Sequence, residues 1–90
     1  MVNFIEEAVD GIRSSPDRGS SVELIIGYEP SHGQDLVERL NSLNVSKIEC
    51  GPFNTLLIST LEENVDVVCG LDYIEDVELN SKGEVLSQGN

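Results

Sequence analysis

Phe53-Asn54-Thr55-Leu56-Leu57-Ile58-Ser59-Thr60-Leu61-Glu62-Glu63-Asn64-Val65-Asp66-Val67-Val68-Cys69-Gly70-Leu71-Asp72-Tyr73-Ile74-Glu75-Asp76-Val77-Glu78-Leu79-Asn80 carries a strand, a helix and a second strand in succession. Thr55 to Thr60 is short, apolar and rich in strand formers, which fits a mostly buried strand. Thr60-x-x-Glu63 has the spacing of a capping box, in which a hydroxyl and a carboxylate each bond the other residue's backbone N–H, so a helix is expected to begin at Thr60. Leu61, Val65, Val68 and Cys69 then recur on one stripe, with Glu62, Glu63 and Asp66 opposite. Gly70 and Asp72 stop it. Ile74, Val77 and Leu79 alternate imperfectly with Glu75, Asp76 and Glu78, and Asn80-Ser81-Lys82-Gly83 ends this second strand.

Upstream of Phe53 the same grammar repeats. Val22 to Tyr28 has a continuous apolar centre, the mark of a central strand, and Glu29-Pro30 ends it because proline lacks a donor. Ser31-x-x-Gln34 again has capping-box spacing, and Leu36, Val37, Leu40 and Leu43 form a stripe that ends at Asn44. Val45 to Glu49 is expected as a short strand, and Cys50-Gly51-Pro52-Phe53-Asn54 as a turn. The order strand, helix, strand, strand, helix, strand predicts an α+β, ferredoxin-like βαββαβ fold: a four-stranded antiparallel sheet, first and third strands central, both helices on one face. The other face has no helix assigned to it.

Residues 1–14 place Ile5, Ala8, Val9 and Ile12 on one helical stripe, giving a short amphipathic helix that docks or frays. Residues 15–21, Ser15-Pro16-Asp17-Arg18-Gly19-Ser20-Ser21, have linker composition. The main domain is expected over 22–86 and a tail over 87–90.

Ninety residues support one modest core. Apolar residues make up 39% and aromatics 4%, with no Trp, so that core must be Leu, Ile and Val. Seventeen acidic side chains stand against five basic ones, a formal net charge of −12. Nucleic-acid binding is disfavoured, since neutralising phosphates needs clustered Lys and Arg. An acidic surface can meet a basic partner, but the plainer reading is a solvated face suited to concentrated salt, where the Debye length is about 3 Å at 1 M. The composition thus points to a halophilic source. No signal peptide and no apolar run of about 20 residues is present, so a cytoplasmic chain without a membrane partner is expected. Cys50 and Cys69 are expected as free thiols, a bridge between them remaining open.

No catalytic set emerges. The single histidine, His32, reads as a solvated loop residue, and no Gly-x-Gly-x-x-Gly occurs to cradle phosphate. Alternation puts Asp76 and Glu78 on one face and Glu75 on the other, which reads as a charged solvent face rather than an acid/base pair or a cation site. No cofactor or metal is implied, and the chain is expected to be non-enzymatic.

Ser59-Thr60-Leu61-Glu62-Glu63, a helix with a late Leu71, and Tyr73-Ile74-Glu75-Asp76-Val77-Glu78-Leu79-Asn80 resemble the closing half of the subtilisin-type propeptide, the peptidase inhibitor I9 family. The resemblance implies a stand-alone inhibitor or folding assistant of a subtilisin-type serine protease, and the acidic composition adds the expectation of a haloarchaeal source. It also implies that the open sheet face packs on two parallel protease helices, whose N-termini are capped from the closing strand. Those two positions fall on Glu78 and Asn80; Asn80 departs from the acidic pattern and brings no charge. The tail would lie in the protease cleft, Val85 and Leu86 entering it. Against that pose, Asn80-Ser81-Lys82-Gly83 reads as a tight turn that can fold Glu84-Val85-Leu86 back as a hairpin extension. The alternative is a self-associating structural or regulatory domain, monomer or weak homodimer, that keeps the fold without the protease role.

Overall fold

Alternation decides which side of each strand is dry. In the computed structural model, which describes residues 4–43 and 45–80, Leu24, Ile26, Leu56, Ile58, Thr60, Ile74 and Val77 are all buried on one face of a sheet. The elements in chain order are β1 (Phe4–Ile5), α1 (Glu7–Ser14), β2 (Ser21–Tyr28), α2 (Gly33–Ser42), β3 (Lys47–Cys50), β4 (Thr55–Leu61), α3 (Val65–Cys69) and β5 (Ile74–Leu79). Short 3-10 turns at Pro30–His32 and Glu62–Asn64 lead into α2 and α3.

The strand order is β1-β5-β2-β4-β3. β2 pairs antiparallel with both β4 and β5, and β3 pairs antiparallel with β4. The four-stranded, wholly antiparallel sheet expected from the sequence is therefore corrected to a five-stranded mixed one with three helices. β1 makes the difference, running parallel to β5 with Phe4 opposite Asp76 and Ile5 opposite Val77. Residues 4 and 5 are strand because their backbone pairs with β5, and the helix expected from the first residue starts at Glu7.

Helices α1, α2 and α3 contribute Val9, Leu36, Leu40, Val65, Val68 and Cys69 to the single core. α1 is docked, with Val9 fully buried. Its junction with β5 is doubly held: Glu6 N–H donates to Val77 O at 3.0 Å, and the Glu6 carboxylate accepts from Leu79 N–H at 2.7 Å. The Ser- and Gly-containing stretch after α1 is also tied down. Asp17 N–H donates to the Glu62 carboxylate and Gly19 N–H to that of Glu63, each at 2.8 Å.

Those two bonds show why the capping box at Thr60 does not form. β4 runs on to Leu61, Thr60 is 2% exposed with its side chain in the core, and Glu63 is engaged by Gly19. No side chain caps the turn that follows. The strand pairing of Thr60 with Val22 outweighs a cap worth about 1 kcal/mol. The Ser31 box is likewise not formed, since the helical entry begins at Pro30 and no side chain caps it. β3 occupies Lys47–Cys50 rather than Val45–Glu49, its register set by Ile48 opposite Ile58. The imperfect alternation of β5 has a cause: Tyr28 pairs with Ile74 but Gly27 with Asp76, so Glu75 is the extra residue of a β-bulge.

Candidate functional site

The face of the sheet turned away from the helices is built by the same alternation, one residue out of step with the core. Register arranges it in three rows. Glu78 (β5), Ile25 (β2), Leu57 (β4) and Glu49 (β3) form the central one, an apolar pair with a carboxylate at each end. On one side lie Glu23, Ser59 and Lys47, with Asn80 beside Glu23 through a backbone bond from Asn80 N–H to Glu23 O at 3.0 Å. On the other side lie Phe4, Asp76, Gly27 and Thr55. Gly27 and Asp76 approach closely there, a Cβ on the glycine lying 3.0 Å from the Asp76 carboxylate.

This face is acidic as well as partly apolar. Among the described residues Glu23, Glu49, Asp76 and Glu78 share it with one cation, Lys47, whose Nζ lies 3.9 Å from Glu23 and 3.5 Å from Glu49. Ile25 and Leu57 are only partly covered and Phe4 is half-exposed. Ile25, Leu57, Thr55, Pro52 and Asn80 help to line a shallow depression of about 250 Å³. A larger groove of about 580 Å³ lies on the helix side, between α2 and the segment that joins α3 to β5. Asp35, Glu38, Arg39 and Asp72 line it, which gives it the character of a solvated seam.

The residues singled out from sequence are distributed as follows. Glu78 is exposed at the rim of the open face, opposite Ile25. Asn80 is on the same face, and its amide donates to the Glu23 carboxylate at 3.1 Å, which leaves its carbonyl oxygen available as an acceptor. Val85, Leu86 and the hairpin expected to contain them lie outside the described residues. Glu23, Ile25 and Leu57 were not singled out, although the alternation of β2 and β4 already put them together opposite Leu24, Ile26, Leu56 and Ile58. Glu23 is the side chain that holds Asn80 and also approaches Ser59 and Lys47.

His32 is a loop residue but not a freely solvated one. Its ring stacks on Tyr73 at 3.9 Å and 9°, and its Nδ1 lies 3.3 Å from Asp35. Cys50 is exposed and Cys69 buried, both as free thiols. Burial pushes the Cys69 thiol above its ordinary value, with nearby Arg13 opposing the shift. Arg13 is itself raised by its hydrogen bond to Asp66. Among the described residues no three His, Cys, Asp or Glu side chains gather as a metal site, and no helix is long and apolar enough to cross a membrane.

Residues 4–80 match the family described as "Putative peptidase inhibitor domain". The chain belongs to that family. The matched span begins at Phe4 and ends at Asn80, so it takes in β1, all three helices and the whole open face. Membership in a peptidase inhibitor family goes with a non-enzymatic, inhibitor-like role and with a protease as the binding partner. Neither the curated proteins nor the solved structures searched contain a match to the chain.

Proposed function

We propose that this peptidase inhibitor domain acts on a subtilisin-type serine protease, as a stand-alone inhibitor or folding assistant of the I9 kind, through the open face of its five-stranded sheet. The observation that carries the reading is the central row of that face. Ile25 and Leu57 offer apolar contact with no helix of the described residues over them, and Glu78 and Glu49 stand at the two edges. An apolar strip with an acidic rim suits the ends of helices, where unpaired N–H groups and a partial positive charge await an acceptor.

Glu78 supplies charge to one such end. Asn80 supplies a neutral acceptor, and Glu23 contributes at one remove by holding the Asn80 amide. The tail beyond Asn80 would then carry Val85 and Leu86 toward the cleft. The exposed charges Lys47 and Glu49 on the outer strand β3 disfavour edge-to-edge pairing of two copies, which counts against self-association through that edge.

The test is inhibition of a subtilisin-type protease by the full chain and by a version ending at Asn80, at high and low salt. Tight inhibition by the full chain that weakens on truncation supports the whole reading. Equal inhibition by both forms leaves the face and removes the tail. No inhibition by either, with the protein intact after incubation, overturns the subtilisin reading and brings self-association forward.

A further inference from the structure

The turn between β3 and β4 spends its apolar residues on solvent. Phe53 is 95% exposed, and the chain has only two Phe, two Tyr and no Trp with which to fill a core. Tyr28 and Tyr73 are both partly covered, whereas Phe4 and Phe53 are the two exposed aromatic side chains. Phe53 also holds a left-handed φ of 56°, and Asn54 one of 58°. For a bulky residue that conformation is unfavourable, and glycine would adopt it freely. A residue both strained and exposed gains nothing from the fold that carries it.

The turn nevertheless is tightly framed. Gly51 N–H donates to Thr55 O at 2.8 Å, Tyr28 N–H to Asn54 O at 3.1 Å, and the Thr55 hydroxyl to Pro52 O. A Cβ at position 51 would lie 2.6 Å from the Thr55 hydroxyl oxygen, so that glycine is part of the frame. Pro52 and Thr55 also line the depression that Ile25 and Leu57 share, which makes the turn continuous with the open face.

We infer that Phe53 is a second anchor for the peptidase, a ring held out by a framed turn that enters an apolar socket on the partner's surface beside the docked sheet. This rests on the inhibitor reading above. Aromatic side chains held out by a preorganised backbone are the kind of residue on which binding energy concentrates, because little backbone freedom is lost when they are buried. The conformation adds a safeguard. Extended backbone needs φ near −120° to −140°, and neither Phe53 nor Asn54 has it, so the bond between them is not offered as a substrate strand.

The experiment measures inhibition of a subtilisin-type protease by the wild-type chain and by Phe53→Ala, Phe53→Leu and Phe53→Gly, with thermal midpoints for each. The expected result is a 10- to 100-fold weaker inhibition constant for F53A and F53G, near wild-type inhibition for F53L, and midpoints at or above wild type for F53G. Mass spectrometry is expected to show the 53–54 bond intact in the complex. Wild-type inhibition with F53A equally potent overturns the anchor and leaves the inhibitor reading standing. Absence of inhibition by the wild type overturns both.

Discussion

Thr60→Val separates two readings of one residue by the sign of its effect. Thr60 is 2% exposed, and among the described residues its hydroxyl oxygen has no hydrogen-bond partner. Exchanging that oxygen for a methyl removes the desolvation cost of an unpaired hydroxyl, about 1–3 kcal/mol, and buries one further methyl group worth about 0.8 kcal/mol. Valine keeps the β-branch, so strand preference and side-chain stiffness are retained. Imperfect fit offsets part of the gain. A net stabilisation of about 1.5 kcal/mol is expected, which for a domain of this size raises Tm by roughly 6–12 °C. Urea unfolding provides the assay, with a higher midpoint at unchanged slope as the expected outcome. If the hydroxyl instead capped the following helix, T60V would cost about 1 kcal/mol, and a lowered midpoint would refute the placement of Thr60 in the core.

Four more outcomes follow from the same packing. Val9→Ala should destabilise by about 2–3 kcal/mol in denaturant, because α1 buries that side chain completely; a loss below about 0.5 kcal/mol would show that α1 is not docked. Asn80→Asp should weaken the protein rather than improve inhibition, since a second carboxylate would face Glu23 where the amide now donates at 3.1 Å, and the double variant Glu23→Gln/Asn80→Asp should recover both stability and inhibition in parallel urea and inhibition assays. A thiol reagent should modify Cys50 at once and Cys69 only on unfolding, which a stoichiometry of one thiol per native chain would show. The Cys69 thiol is raised by burial, so the native state keeps it neutral while the unfolded chain ionises near the ordinary thiol value of about 8.5. Its contribution is therefore intact below that pH and lost as pH rises through the folded value, and Cys69→Ala should flatten the alkaline limb of a stability profile.

What the sequence made legible was whatever a local period encodes. The buried sides of β2 and β4, the stripe of Leu36 and Leu40, and the Val65, Val68 and Cys69 face of α3 are all readable from spacing. β1 is not, because two residues carry no period and their partner Val77 lies at the far end of the chain. The same distance hides the Glu6 carboxylate on Leu79 N–H and the two glutamates that hold residues 17 and 19. Thr60 misleads for a physical reason: a hydroxyl before Leu-Glu-Glu satisfies the local rule for a helix start, while sheet register, which no local window contains, turns it inward. For the open face the period was sufficient to put Asp76 and Glu78 on one side of β5, while their places beside Gly27 and Ile25 come from register. It was silent on Phe53, whose exposure and left-handed backbone are set by a turn closed through Tyr28 and Thr55.

The parallel pairing of β1 with β5 also fixes when the protein becomes whole. Phe4 and Ile5 are synthesised well before Asp76 and Val77, the residues that complete them across the sheet. At about 5–20 residues per second the first strand waits several seconds for its neighbour. β2 waits as well, since both strands beside it are made later. An interrupted chain therefore leaves open strand edges and a half-covered Val9 rather than a smaller working domain. Such fragments offer unpaired backbone donors and acceptors to one another, whereas in the finished sheet β2 is paired on both sides.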